Sequence, residues 1–105
     1  MITLKTKARC AEFSYDITAR GDVVIRFGKT GRVTISAADY ARLLRWFRGR
    51  VAAAGTSRDC PPAGSLGQWL QENVTKAAIA SYVASILVHE GHARWEDDHT
   101  LRFLG

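Results

Sequence analysis

The hydrophobic period of this chain changes once, at Ser36, and that change limits what it can fold into. Before it, apolar residues recur at every second position: Phe13, Tyr15 and Ile17, then Val23, Ile25 and Phe27, then Val33 and Ile35. A period of two belongs to strands with one buried face. Ala19-Arg20-Gly21-Asp22 and Gly28-Lys29-Thr30-Gly31 separate these runs with residues suited to tight turns. Residues 1–35 are therefore expected to form an antiparallel β-meander, with a further strand at Ile2 to Ala8 ahead of it.

From Ser36 onward the period is that of helices. Ser36-Ala37-Ala38-Asp39 is an acidic capping box, after which Tyr40, Leu43, Leu44, Phe47 and Val51 make one apolar stripe. The spacing predicts a helix over Ala37 to Ala53, within a segment 36–54. Pro61 and Pro62 mark Gly55 to Gly64 as a loop. Ser65-Leu66-Gly67-Gln68 is a second capping box, opening a short helix that ends near Asn73. Thr75 is the expected cap of a third helix running from Lys76 to Glu90, with Ile79, Tyr82, Val83, Ile86 and Leu87 on its inner side and Gly91 as its stop. His92 to Trp95 and Thr100 to Leu104 read as a closing hairpin around Glu96-Asp97-Asp98-His99. The expected fold is a single α+β domain over 1–105: meander, three helices, hairpin.

Within residues 65–104, a short helix, a tight turn through Val74-Thr75, a longer helix and a β wing resemble the winged helix-turn-helix superfamily, with the 36–54 helix as its first. The meander is an addition to that family's minimal fold. The resemblance implies DNA binding, with the third helix in the major groove and the wing over the backbone. The residues point elsewhere. The outer face of that helix offers Ala77, Ala80, Ser81, Ala84, Ser85 and Val88, with Lys76 at its start, and lacks the Arg, Asn and Gln that read base edges. The wing tip, Glu96-Asp97-Asp98, repels phosphate.

Charge follows the same division. The 105 residues carry a net +5, but residues 1–58 hold 12 Lys/Arg against 4 Asp/Glu, a net +8, and residues 59–105 hold 3 against 6, a net −3. Contact with a polyanion is thus expected from Arg42, Arg45, Arg48 and Arg50 on the first helix, with Trp46 interleaved, extended by Lys29 and Arg32 at the second turn and by Lys76. Lys5, Lys7 and Arg9 form a further basic cluster. One reading is a small, non-enzymatic bacterial regulatory or accessory protein that binds nucleic acid through this strip. The other is a protein-interaction module or homodimer, using Ala77, Ser81, Ala84, Ser85 and Val88 together with the acidic wing.

Other chemistry finds little support. Gly28-Lys29-Thr30 matches the end of a phosphate-binding loop, but Val23 occupies the position of its first glycine and a strand follows. His89, His92 and His99 lack the His-Glu-x-x-His spacing that puts two imidazoles on one helical face, so neither a metal nor another cofactor is expected. No carboxylate pair or nucleophile-base arrangement suggests an enzyme. Cys10 and Cys60 follow a start without the apolar core of a secretory signal, so reduced thiols in the cytoplasm are expected. No apolar run is long enough to span a membrane.

Overall fold

A computed structural model describes residues 1–7, 10–56 and 60–104. It is α+β: an N-terminal four-stranded antiparallel meander, three helices, and a second, small antiparallel sheet that contains the C-terminal hairpin. The meander runs β1 (Ile2–Lys5), β2 (Glu12–Ile17), β3 (Val23–Phe27) and β4 (Gly31–Ile35), each strand paired with the next. Leu4 lies opposite Phe13, Tyr15 opposite Ile25, and Val23 opposite Ile35. This register gathers Phe13, Tyr15, Val23, Ile25 and Ile35 on the buried face, as the period-two pattern requires. Ile17, in phase with that face, lies at the end of its strand and is exposed. Ala8, expected to end the first strand, lies outside the described residues, and β1 stops at Lys5.

Helix α1 (Ala37–Phe47) begins as its capping box dictates. Ser36 Oγ accepts from the Asp39 amide at 3.1 Å, and Asp22 Oδ1, from the β2–β3 turn, accepts from the Ala37 amide at 2.8 Å. A second acceptor on the meander thus ties the helix start to the sheet. The helix ends six residues short of the expected Ala53. Gly49 has φ +71°, a left-handed conformation that stops helical hydrogen bonding and that glycine adopts readily. Val51–Ala53 then forms a strand, β5. Val51, in phase with the α1 stripe, is consequently exposed, while Leu43 and Phe47 are buried.

Helix α2 (Leu66–Asn73) also starts on its predicted cap: Ser65 Oγ accepts from the Gln68 amide at 3.1 Å. Its first turn packs directly on the end of β5. The Gly67 amide donates to Ala54 O at 2.9 Å, and any Cβ on Gly67 would overlap the Gly55 carbonyl. Helix α3 (Ala80–His89) begins four residues later than expected. Thr75 Oγ1 accepts from the Ala77 amide at 3.3 Å in a local turn instead of capping a helix, and Ile79 is the cap residue without a side-chain bond. At the other end, the Gly91 amide donates to Val88 O and the His92 amide to Leu87 O, which closes the helix as anticipated.

Strands β6 (Ala93–Trp95) and β7 (Thr100–Phe103) form the hairpin, and β5 pairs with β7 to give the order β5-β7-β6. Ala52 lies opposite Leu101. The pairing joins the segment after α1 to the C-terminal hairpin.

Helix α3 lies at the centre. Ala80, Val83, Ala84, Ile86 and Leu87 are buried, and among its residues His89 alone is exposed. Tyr82 stacks on Phe27 at 4.8 Å between ring centroids and packs at 5.0 Å against Phe13, so the meander covers one side. At the C-terminal end, the Tyr15 hydroxyl donates to Glu90 Oε2. The Tyr40 hydroxyl is buried with no hydrogen-bond partner among the described residues. Burial, and then the nearby Glu90 carboxylate, push the Tyr40 phenol up to about 12. Burial, reinforced by the bond to Glu90, also raises the Tyr15 phenol.

Gly67→Ala is expected to lower stability by about 3 kcal/mol, at the upper end for overpacking because the obstructing atom is backbone; urea unfolding measures it, and a loss under 1 kcal/mol would contradict the close approach. A phenol whose pKa is higher folded than unfolded contributes stability that is complete below its unfolded pKa and is lost as pH rises. Stability is therefore expected to fall between about pH 10 and the Tyr40 value of about 12. Tyr40→Phe should reduce that fall without loss at pH 7, since the hydroxyl has no partner to lose. Tyr15→Phe should cost roughly 1.5 kcal/mol at pH 7, because it deprives Glu90 of its donor.

Candidate functional site

The outer face of α1 carries the arginines. Its capped start and its buried Leu43 and Phe47 fix the rotation of the helix, which leaves Arg42, Arg45, Trp46 and Arg48 exposed, with Arg50 just past its end. Trp46, at 53% exposure, is the most exposed aromatic side chain on the protein. The Arg50 guanidinium lies over its ring, 5.0 Å from the centroid.

Two depressions flank this ridge. The larger, about 520 Å³, lies between α1 and α2 and is lined by Arg42, Arg45, Trp46, Arg50, Trp69, Glu72 and Asn73. The smaller, about 440 Å³, is lined by Leu44, Arg45, Arg48, His92, Phe103 and Leu104. Arg45 borders both, so the basic surface continues over the helix. Trp69, Glu72 and Asn73 were not among the residues expected at a site. Trp69 falls on the apolar phase of α2 and reads as core; it is half-buried, edge-on to Phe47 with the centroids 6.5 Å apart.

The arginines differ in how far they are engaged. Arg42 pairs with Asp39 at 3.0 Å, donates to Asn73 Oδ1 at 2.6 Å and lies over Trp69 at 5.6 Å. Asn73 is oriented in turn by donating to Trp69 O at 2.8 Å. Arg42 therefore acts as a strut between α1 and α2. Arg45, Arg48 and Arg50 have no carboxylate partner among the described residues. Three exposed guanidiniums on one ridge with no carboxylate in direct contact, Glu72 bordering the same depression without pairing, repel one another, and an anion relieves that repulsion.

The other expected basic residues do not line this surface. Lys29 and Arg32 sit on the β3–β4 hairpin, and Lys76 sits in the connection before α3. All three are exposed, and none lines either depression. Lys7 of the N-terminal cluster lies 5.6 Å over the Trp95 ring of the hairpin; Arg9 lies outside the described residues.

The small-residue face of α3 is largely occupied from within the chain. Ala84 has no exposed surface, Ser81, Ser85 and Val88 are half-buried, and Ser85 Oγ donates to Lys5 O of β1 at 3.2 Å. Ala77 precedes the helix and is exposed. Ala77, Ser81, Ala84, Ser85 and Val88 therefore do not make one open interface. The physical reason is that alanine and serine permit close approach, and the meander takes that place before any second protein can.

The acidic wing satisfies itself. Glu96 accepts from Arg102, which holds its carboxyl below the usual range, and Asp97 Oδ1 accepts from the His99 amide at 2.8 Å, which lowers the Asp97 carboxyl likewise. His89 lies edge-on to Tyr15 and His92 edge-on to Tyr40, two separate aromatic contacts. Among the described residues no group of three or more His, Cys, Asp or Glu is placed to hold a metal ion. Cys10 and Cys60 are exposed thiols outside any disulfide. No described helix is long and apolar enough to cross a membrane. In comparisons with known proteins, no family model matches the chain, and no curated protein or solved structure is significantly similar to it.

Proposed function

We propose that this is a small, non-enzymatic regulatory or accessory protein that binds nucleic acid through the exposed arginine ridge of α1. The observation that carries the reading is the set Arg45, Arg48 and Arg50, exposed on one ridge with no carboxylate partner among the described residues. Guanidiniums in this state release bound counterions when they meet phosphate, and that release drives non-specific association with nucleic acid. The planar fork of arginine also suits bidentate contact with phosphate oxygens.

The winged-helix resemblance is supported by the order of elements from α1 to β7: helix, strand, two helices and a hairpin, with the strand completing the hairpin's sheet. Use of the scaffold would nevertheless depart from that family's expected mode. Helix α3 is enclosed and the wing tip is acidic, whereas α1 is basic and open. Binding thus runs through the first helix, with Arg42 holding it against α2. Lys29, Arg32 and Lys76 lie beyond the two depressions and contribute through long-range attraction alone.

Fluorescence anisotropy with labelled oligonucleotides, single-stranded and duplex, at 20–200 mM salt tests this proposal. Binding should weaken steeply with salt. Arg45→Glu with Arg48→Glu should reduce affinity at least about tenfold, with the fold intact by circular dichroism, because four units of charge change at the contact. Lys29→Glu should cost less than about threefold. Absence of binding at low salt, or equal loss from both variants, would overturn the assignment to α1.

A further inference from the structure

We infer that the depression between α1 and α2 holds an unpaired base of single-stranded nucleic acid, stacked on Trp46, with the adjoining phosphates on Arg45 and Arg50. The inference rests on the nucleic-acid reading and adds the class of ligand.

Trp46 supplies the first argument. Trp46 is 53% exposed and borders the concavity, so part of its ring faces water there. Arg50 covers one side of the ring at 5.0 Å, leaving flat aromatic surface for a planar partner and a positive charge beside it. Stacking of this kind needs the face of a base. Duplex nucleic acid hides base faces within the helical stack and presents only their edges, so an unpaired strand is the form that can use Trp46.

The second argument is the floor of the depression. Glu72 lines it and has no hydrogen-bond or ion-pair partner among the described residues. A carboxylate there repels phosphate, so the backbone must run along the arginine side and point its base inward. Once inside, the same carboxylate accepts from an exocyclic amino group, as carboxylates do from cytosine N4. Asn73 is held in place by its bonds with Arg42 and Trp69 O, which leaves Glu72 as the charged acceptor there. Cytosine should accordingly be preferred to thymine or uracil, which carry no exocyclic amine.

The full chain is titrated with labelled dC12, dT12, rC12 and a 12-base-pair mixed duplex by anisotropy, and tryptophan quenching is followed in parallel. Expected are tighter binding of dC12 than of the duplex, and quenching that Trp46→Ala reduces, the remainder coming from Trp69 in the same depression. That variant should lose about tenfold in single-strand affinity, within the range of one stacked base. Glu72→Ala should erase the preference for dC12 over dT12, and comparison of rC12 with dC12 tells RNA from DNA. If the duplex binds as well as dC12 and Trp46→Ala changes nothing, while Arg45→Glu with Arg48→Glu still abolishes binding, the base-stacking site is wrong and the nucleic-acid reading stands. If no oligonucleotide binds at 20 mM salt, both fall.

Discussion

The rest of the structure depends on the enclosure of α3. Tyr82 lies against Phe27 and Phe13 of the meander, and Val83, Ile86 and Leu87 enter the common core. Burying side chains of this size contributes about 1.5–3 kcal/mol each, the largest favourable term open to a domain of this length. With the most apolar helix at the centre, the meander lies on one side and α1, α2 and the small sheet around the others. Tyr15 reaches from β2 to Glu90 at the end of α3, a polar tie across the same packing. The same packing leaves little of α3 open to solvent.

That enclosure moves the exposed chemistry to α1. The helix is held by caps at its start, by Leu43 and Phe47 beneath it, and by the Arg42 contact with Asn73 and Trp69 at its side. None of these anchors uses Arg45, Arg48 or Arg50. The contacts that hold α1 and the arginines left open to solvent are thus different side chains along one short ridge. The carboxylates of the hairpin are separated from it in the same sense: Glu96 is engaged by Arg102 and Asp97 by the His99 amide, both within the hairpin.

Much of the local structure was legible from residue order. The antiparallel meander, both serine caps and the end of α3 at Gly91 were all readable, because they depend on side-chain period, on one hydroxyl, or on one backbone conformation. Two helix boundaries were not. Val51 continues the α1 period by coincidence, and its segment becomes a strand only because β7 offers a pairing edge from fifty residues away. Thr75 is an acceptable cap by type, but its hydroxyl bonds within a local turn and the helix waits until Ala80. Of the candidate site, Arg45, Arg48, Arg50 and Trp46 could be read from α1 alone. Trp69, Glu72 and Asn73 could not, since nothing in the order of residues says which face of α2 meets which helix.

The sequence by itself determined the elements, the concentration of positive charge in the first half, and the arginine face of one helix, because these follow from neighbours within a few positions. Only the tertiary structure decided that the small residues of α3 serve internal packing, that Arg42 is a strut while three arginines stay unpaired by described carboxylates, and that Trp46 and Glu72 border one depression. Those outcomes depend on contacts between segments far apart in the chain. A single side chain carries no record of whether its own protein or a ligand will cover it.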